Sequence, residues 1–315
     1  MKWSYSGGRA FQACQRQWYF RNVVGLGQVK RDAERRKIYL MGKHDSISAW
    51  RGRLVDELIT EKIVTRVNDG SDPPDLKKML ELADRRFQEQ LSYAREHVEV
   101  APDLNIKEAG TSFALLKNVV DLTDEEIEQA WAEVCSALRT LYQCDVAKDI
   151  IKEADWLISQ KTLQYRLIDG INVQGVPDLV AFRWDQPPTI VDWKVHAQGT
   201  HDAWMQLATY AICLERATPH SDWKEFYEEL QWRRGDLRLV EVQLLTGTVR
   251  EHDLDEDHFA QAEAFIQSSA IEMASLLEGR KYSELDIEEF DMARFPESCD
   301  SCSYKPHCWE NAHAS

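Results

Sequence analysis

What the chain has too little of narrows the field first. No run approaches the roughly 18 apolar residues that a membrane-crossing helix needs, and the opening MKWSYSGGRAFQAC has no apolar signal region, so a cytoplasmic location is the expectation. Cations are in deficit, with 38 Lys and Arg against 54 Asp and Glu and a formal net charge of −16. That deficit argues against tight, autonomous binding to a polyanion, although net charge is not local charge. A G-x-x-x-x-G-K-[ST] phosphate loop is missing, so the chain has no nucleotide-driven motor of its own. There is no internal repeat and no low-complexity tract. The seven cysteines are odd in number and four are spaced like ligands, which argues against a secreted disulfide framework.

The remaining composition is that of a globular protein. Of 315 residues 43% are hydrophobic and 29% charged, enough for a sizeable core. Basic residues gather at 30–37 (KRDAERRK), at Arg51 and Arg53, and at Arg233 and Arg234. Such runs are ordinarily solvated faces.

Ser4 and Ser6 are candidate N-caps for a helix over 9–21, and a second, basic helix runs from about 31 into 41. Across 45–67 the apolar positions Ile47, Trp50, Leu54, Leu58 and Ile63 recur with a helical period. DGSDPPD at 69–75 is turn chemistry, and 76–149 reads as amphipathic helices in which Cys135 and Cys144 are fillers. From 155 to 193 the texture changes to short β-branched and aromatic runs, split at Asp169-Gly170 and at 185–188. A helix over 201–214, two strands (LRLVEVQLL and TGTVREHDL) and a helix from 256 to about 277 complete the pattern. The fold class is α/β with a helical insertion. Four segments are expected: N-terminal helices (1–68), the insertion (69–152), a core (153–280) and a C-terminal tail (281–315).

Chemistry concentrates in 175–210. Asp178 and Asp192 end short apolar runs, and Lys194 follows Asp192 at a spacing of two, which places both side chains on one strand face. Gln206 and Tyr210, four apart, share one face of the next helix. A lone D-x-K is most often a salt-bridged pair at a strand end. Here it is combined with a G-x-P-D turn, a second Asp fourteen residues on and Q-x-x-x-Y. Two carboxylates can hold Mg²⁺ or Mn²⁺, which polarises a phosphoryl oxygen and activates water. Lys194 can orient or deprotonate that water, or offset charge in the transition state.

On Pro177-Asp178, Asp192-Trp193-Lys194 and Gln206-x-x-x-Tyr210 the sequence resembles the PD-(D/E)XK nuclease superfamily, and within it the RecB-type branch that includes CRISPR-adaptation exonucleases. The resemblance implies a restriction-endonuclease-like core, a small mixed sheet flanked by helices. It also implies that Asp178 and Asp192 bind Mg²⁺ or Mn²⁺, that Lys194 supports the attacking water, and that Gln206 and Tyr210 position the lysine and the DNA. The branch usually carries a metal-binding His in a G-x-x-x-H-E helix; here WRGRLVDEL aligns Asp56 with it, and an aspartate can still ligate a hard cation. His44 lies too far upstream for that place, and Glu153 is a weaker accessory acid.

The tail reads C-D-S-C-S-Y-K-P-H-C, with Cys299, Cys302 and Cys308 one thiolate short of a tetrahedral or cubane site. In the resembling branch a helix reading C-P-R-x-W/Y-Y-F supplies the fourth; CQRQWYF matches it at Cys14, with Gln15 in place of Pro. The resemblance thus implies a [4Fe–4S] cluster stapling the termini together, worth on the order of 5 kcal/mol by analogy with loop closure. A zinc site, with His307 as a candidate ligand, is the other reading of the tail.

The function expected from these features is a metal-dependent DNase acting on single strands or ends, in repair, CRISPR adaptation or anti-phage defence, with a helicase or defence-complex subunit as partner. The alternative is a catalytically idle, cluster-stapled DNA-binding or scaffolding subunit of a helicase–nuclease complex, which the acidic charge and Asp56 favour and the complete D…D-x-K with Q-x-x-x-Y opposes. The block 69–152 is the candidate partner surface or strand-guiding clamp. Trp18, Tyr19, Trp193 and Trp204 are candidates for stacking on unpaired bases, and most such residues serve packing instead.

Overall fold

The computed structural model describes residues 1–27, 31–168, 170–195, 203–300 and 302–312. Lys30 of the basic run, Asp169 of the expected hairpin turn and His201 at the expected helix start lie outside them.

A short strand, β1 (Lys2–Ser4), leads into α1 (Tyr5–Ala13), whose Ser4 N-cap accepts the Gly7 N–H. The helix expected over 9–21 is broken at Cys14. Its extended backbone separates α1 from α2 (Gln15–Tyr19), and its sulfur accepts the Gln17 N–H at 3.4 Å, so the cysteine caps the second helix. A π-helical turn (Phe20–Val24) follows, then α3 (Ala33–Met41) and β2 (His44–Asp45). α4 (Ile47–Leu58), capped by Ser46, continues through a wider turn (Ile59–Val64) into α5 (Thr65–Asn68). Its row Trp50, Leu54, Leu58 and Ile63 is buried, as the periodicity predicts.

The turn at 69–75 ends that helix and Asp75 caps α6 (Leu76–Glu96). Then come α7 (Ile106–Ala109), β3 (Leu115–Leu116), α8 (Asp124–Gln143) opened by a Thr123–Glu126 capping box, and α9 (Asp145–Glu153). The strands follow: β4 (Trp156–Ile158), β5 (Leu163–Ile168), β6 (Ile171–Gly175), β7 (Leu179–Arg183) and β8 (Gln186–Lys194). α10 (Ala203–Arg216), α11 (Lys224–Leu230), β9 (Arg238–Gln243), β10 (Thr248–Glu251), α12 (Glu256–Leu277) and α13 (Lys305–Ala312) complete the order. The sequence reading did not anticipate β1 or α11. Three residues carry no period, and α11 has the single buried residue Phe226.

The expected single sheet is divided. Five strands run in the order β10-β9-β8-β7-β4, with β8 and β9 parallel and the other pairs antiparallel. The second sheet, β1-β6-β5, binds the N-terminus in parallel to β6 through Lys2↔Asn172. The prolines of 185–188 lie in β8 rather than in a turn. They are tolerated because pairing with β9 begins only at Thr189 and the β7 register shifts beside them. Alternate residues of the five-stranded sheet enter two apolar clusters. Ile190 and Leu239 pack with α10 and α12, and Val191, Trp193, Val240 and Val242 pack with α4, α6 and α8.

Candidate active site

The parallel connection from β8 to β9 sets the site's frame, because α10 within it returns over the sheet. Asp192 and Lys194 are two apart on β8 and in register with Glu241 and Gln243 of β9, so all four leave the same face. Asp192 is 1% exposed, and its Oδ2 lies 2.6 Å from Lys194 Nζ. That ammonium donates to Gln206 Oε1 at 3.1 Å, and Gln206 Nε2 donates to the Tyr210 hydroxyl at 2.7 Å. D-x-K and Q-x-x-x-Y are therefore joined in one hydrogen-bonded chain. Asp178, just ahead of β7, accepts the Trp193 N–H on Oδ2 at 2.9 Å and the Gln160 amide on Oδ1 at 3.2 Å.

Electrostatics tie the three aspartates together. Burial, then Asp178 and Asp192, raise the Asp56 carboxyl well above its ordinary range. Burial and Asp192 push Asp178 up to about 7. Burial works to lower the Lys194 pKa, yet Asp192, Asp178 and Glu241 outweigh it and hold the ammonium protonated above its usual range. Burial and the same two aspartates keep Tyr210 a phenol. Asp56 Oδ1 is buried without a hydrogen-bond partner among the described residues. Three mutually repelling carboxylates with a buried oxygen to spare suit a hard divalent cation. Among the described residues no group of three or more His, Cys, Asp or Glu side chains forms a ready-made metal-holding cluster. Lys194 sits on Asp192, and Trp193 and Gln160 engage both oxygens of Asp178.

The same absence applies to the cysteines, although the fold gathers them. Cys14, Cys299, Cys302 and Cys308 all line one small cavity of about 40 Å³, together with Arg16, Gln17 and Tyr304. Burial raises the Cys14 thiol, and Cys302 and Cys299 add to it through space. Cys308 is likewise raised by burial, with Cys14 and Cys299 contributing and Arg16 opposing.

Other expected residues are placed elsewhere. Glu153 pairs with Arg183. His44 Nδ1 faces the Leu40 carbonyl. Trp18, Tyr19 and Trp193 are core and Trp204 is half-buried. Much of the basic clusters is spent internally: Arg35 and Arg36 on backbone carbonyls, Arg51 on Val195 O and Glu133, Arg53 on Asp45 and Glu57, Arg234 on Glu256 and Glu263. A groove of about 770 Å³ between Tyr19 and 282–289 includes none of the three aspartates. Two neighbours of the site escaped the sequence reading. Glu241 is buried beside Asp192, approached by Arg250 and His252 at 3.4 Å, and a lone acid in the apolar run LRLVEVQLL was its signal. Gln160, in a loop without motif, gave no signal.

A family model described as the PD-(D/E)XK nuclease superfamily matches residues 2–309. No curated protein matches the chain. A solved structure titled "Crystal structure of SSO0001" covers 71% of this chain and 94% of its own at 11% identity, with a TM-score of 0.27, too slight a likeness to carry an inference.

Proposed function

The chain belongs to the PD-(D/E)XK nuclease superfamily, and from that premise we propose that it is a Mg²⁺- or Mn²⁺-dependent deoxyribonuclease of the RecB-type branch, directed at single strands or ends. The observation that carries this reading is the unbroken chain Asp192–Lys194–Gln206–Tyr210 beside two further, half-buried carboxylates, Asp178 and Asp56. Asp56, Asp178 and Asp192 would hold the cation, which supplies Lewis-acid polarisation of the scissile phosphate and a water of lowered pKa.

The protein's own groups do the rest. Asp192, Asp178 and Glu241 favour the Lys194 ammonium, which would offset negative charge growing on the phosphoryl oxygens and orient the water. Gln206 fixes the direction of the ammonium, and Tyr210 fixes Gln206. The four cysteines around one cavity support a [4Fe–4S] cluster, with zinc as the competing occupant. In this reading 153–280 is the catalytic core, 1–68 and 281–315 close around the cluster, and 69–152 is the insertion that meets a partner. That partner would be a helicase or defence-complex subunit feeding DNA to a chain that has no motor.

A labelled single-stranded oligonucleotide, offered with Mg²⁺ or Mn²⁺ to the wild type and to Lys194→Ala, tests the proposal. The wild type should degrade it, and the variant should be slower by about 10²–10³-fold, the usual loss for one transition-state contact. Equal degradation by both would identify a contaminant; inactivity of both would favour the scaffold. End-blocked and circular substrates then separate end-directed from internal cleavage.

A further inference from the structure

The loop between β4 and β5 touches the site at three points. Ser159 Oγ shares a 2.6 Å hydrogen bond with Thr60 Oγ1, one turn beyond Asp56 on the same continuous helix. The Gln160 N–H donates to the Pro177 carbonyl at 3.2 Å. Its side-chain amide donates to Asp178 Oδ1, also at 3.2 Å, opposite the Trp193 N–H on Oδ2. One short loop thus links the helix carrying Asp56 to the carboxylate of Asp178.

The backbone of Gln160 is unusual. Its φ is +52°, in the left-handed region that glycine enters without steric cost and a residue with a Cβ does not. The residue is exposed, so burial in the core gives no reason for a long side chain there. Local strain kept where the side chain reaches a carboxylate of the site is the pattern of a functional position.

We propose that Gln160 is a positioning residue for the metal site. Its amide on Oδ1, opposite the Trp193 N–H on Oδ2, fixes the rotation of the Asp178 carboxylate, so that less ordering is left for a cation to impose. The Ser159–Thr60 contact holds the Asp56 helix in step with that carboxylate. This rests on the nuclease reading of the same three aspartates and adds to it a group outside the D…D-x-K and Q-x-x-x-Y positions.

Gln160→Gly separates positioning from folding, because glycine suits the backbone while removing the amide. The full-length wild type and variant are compared by thermal melting in EDTA and by calorimetric titration with Mn²⁺ without DNA. Gln160→Asn, short by one methylene, serves as a second variant that accepts the backbone but lacks the reach. Both variants should melt at or above the wild-type temperature. Both should bind Mn²⁺ about 10–100-fold more weakly, the range for losing a group that orients a metal ligand. Rates at saturating Mn²⁺ should stay within a few-fold of wild type. Unchanged Mn²⁺ affinity in a folded Gln160→Gly overturns this inference and leaves the nuclease reading standing. A wild type that binds no Mn²⁺ overturns both.

Discussion

Asp56 carries a charge that folding disfavours, since burial and then its neighbours Asp178 and Asp192 lift its carboxyl well above the ordinary range. Asp178 is pushed up to about 7 for similar reasons. Acids raised in this way bind protons in the native state that the unfolded chain has already released. Their contribution to stability is complete below the ordinary carboxylate range and is lost as pH rises through about 7 for Asp178. A divalent cation competes for the same oxygens, so its binding strengthens over that window. In EDTA the melting temperature should therefore fall between about pH 5 and about pH 8, and added Mn²⁺ should flatten the fall. Asp56→Asn removes one of the repelling charges at nearly constant shape. It should raise the melting temperature in EDTA at the upper end of that window while weakening Mn²⁺ binding. Melting curves stepped across pH, with chelator and with Mn²⁺, check this; a wild type indifferent to pH in EDTA would contradict it.

At the scale of elements, α10 is held in place by a glycine. A Cβ on Gly175, at the end of β6, would stand 3.1 Å from Cys213 Sγ and from Tyr210 Cδ1, and 3.2 Å from Cys213 Cβ. The bare backbone lets α10 lie close, and α10 carries Gln206 and Tyr210 to Lys194. Gly175→Ala should cost about 1–3 kcal/mol through overpacking and should slow hydrolysis by shifting the Gln206 amide. Adding Cys213→Ala, which removes the sulfur in the way, should restore part of both; thermal melts and turnover of the single and double variants check it. The sequence reads the glycine as part of a turn, and its packing role becomes visible only when β6 meets α10. Strong local signals carried over well, as with the apolar row of α4 and the face shared by Asp192 and Lys194. What escaped depends on pairing across long separations or on short loops. The β1–β6 pairing, the break at Cys14 and the Gln160 contact with Asp178 each rest on partners that no local period encodes.

At the scale of the molecule, the N-terminus is bound to the sheet by β1 and the tail is bound to the N-terminal helices, and side chains other than cysteine account for much of the second attachment. Tyr19 stacks on Phe290 with ring centres 4.3 Å apart, and Phe20 on Tyr304 at 5.4 Å. Buried Arg16 donates to the Phe290 carbonyl at 3.0 Å and meets Glu288 at 2.6 Å. The C-x-x-C…C spacing is plain in the sequence, but this aromatic and ionic docking is not, because its partners lie some 270 residues apart. A cluster joining Cys14 to Cys299 would close a loop 285 positions long, with a chain-entropy gain of roughly 5–6 kcal/mol if the unfolded chain keeps no structure. Since the tail is docked independently, losing one ligand should loosen 299–312 without unfolding the rest. Anaerobically purified wild type should be brown, with iron and sulfide. Cys302→Ser should lose that colour, melt cooperatively at a lower temperature, and expose Tyr304, which is 4% accessible in the intact fold, to chymotrypsin. Colourless wild type with stoichiometric zinc would assign the cavity to zinc. A Cys302→Ser protein as resistant and as stable as wild type would mean that the aromatic stacks and Arg16 alone close the chain, and that the four cysteines hold nothing between them.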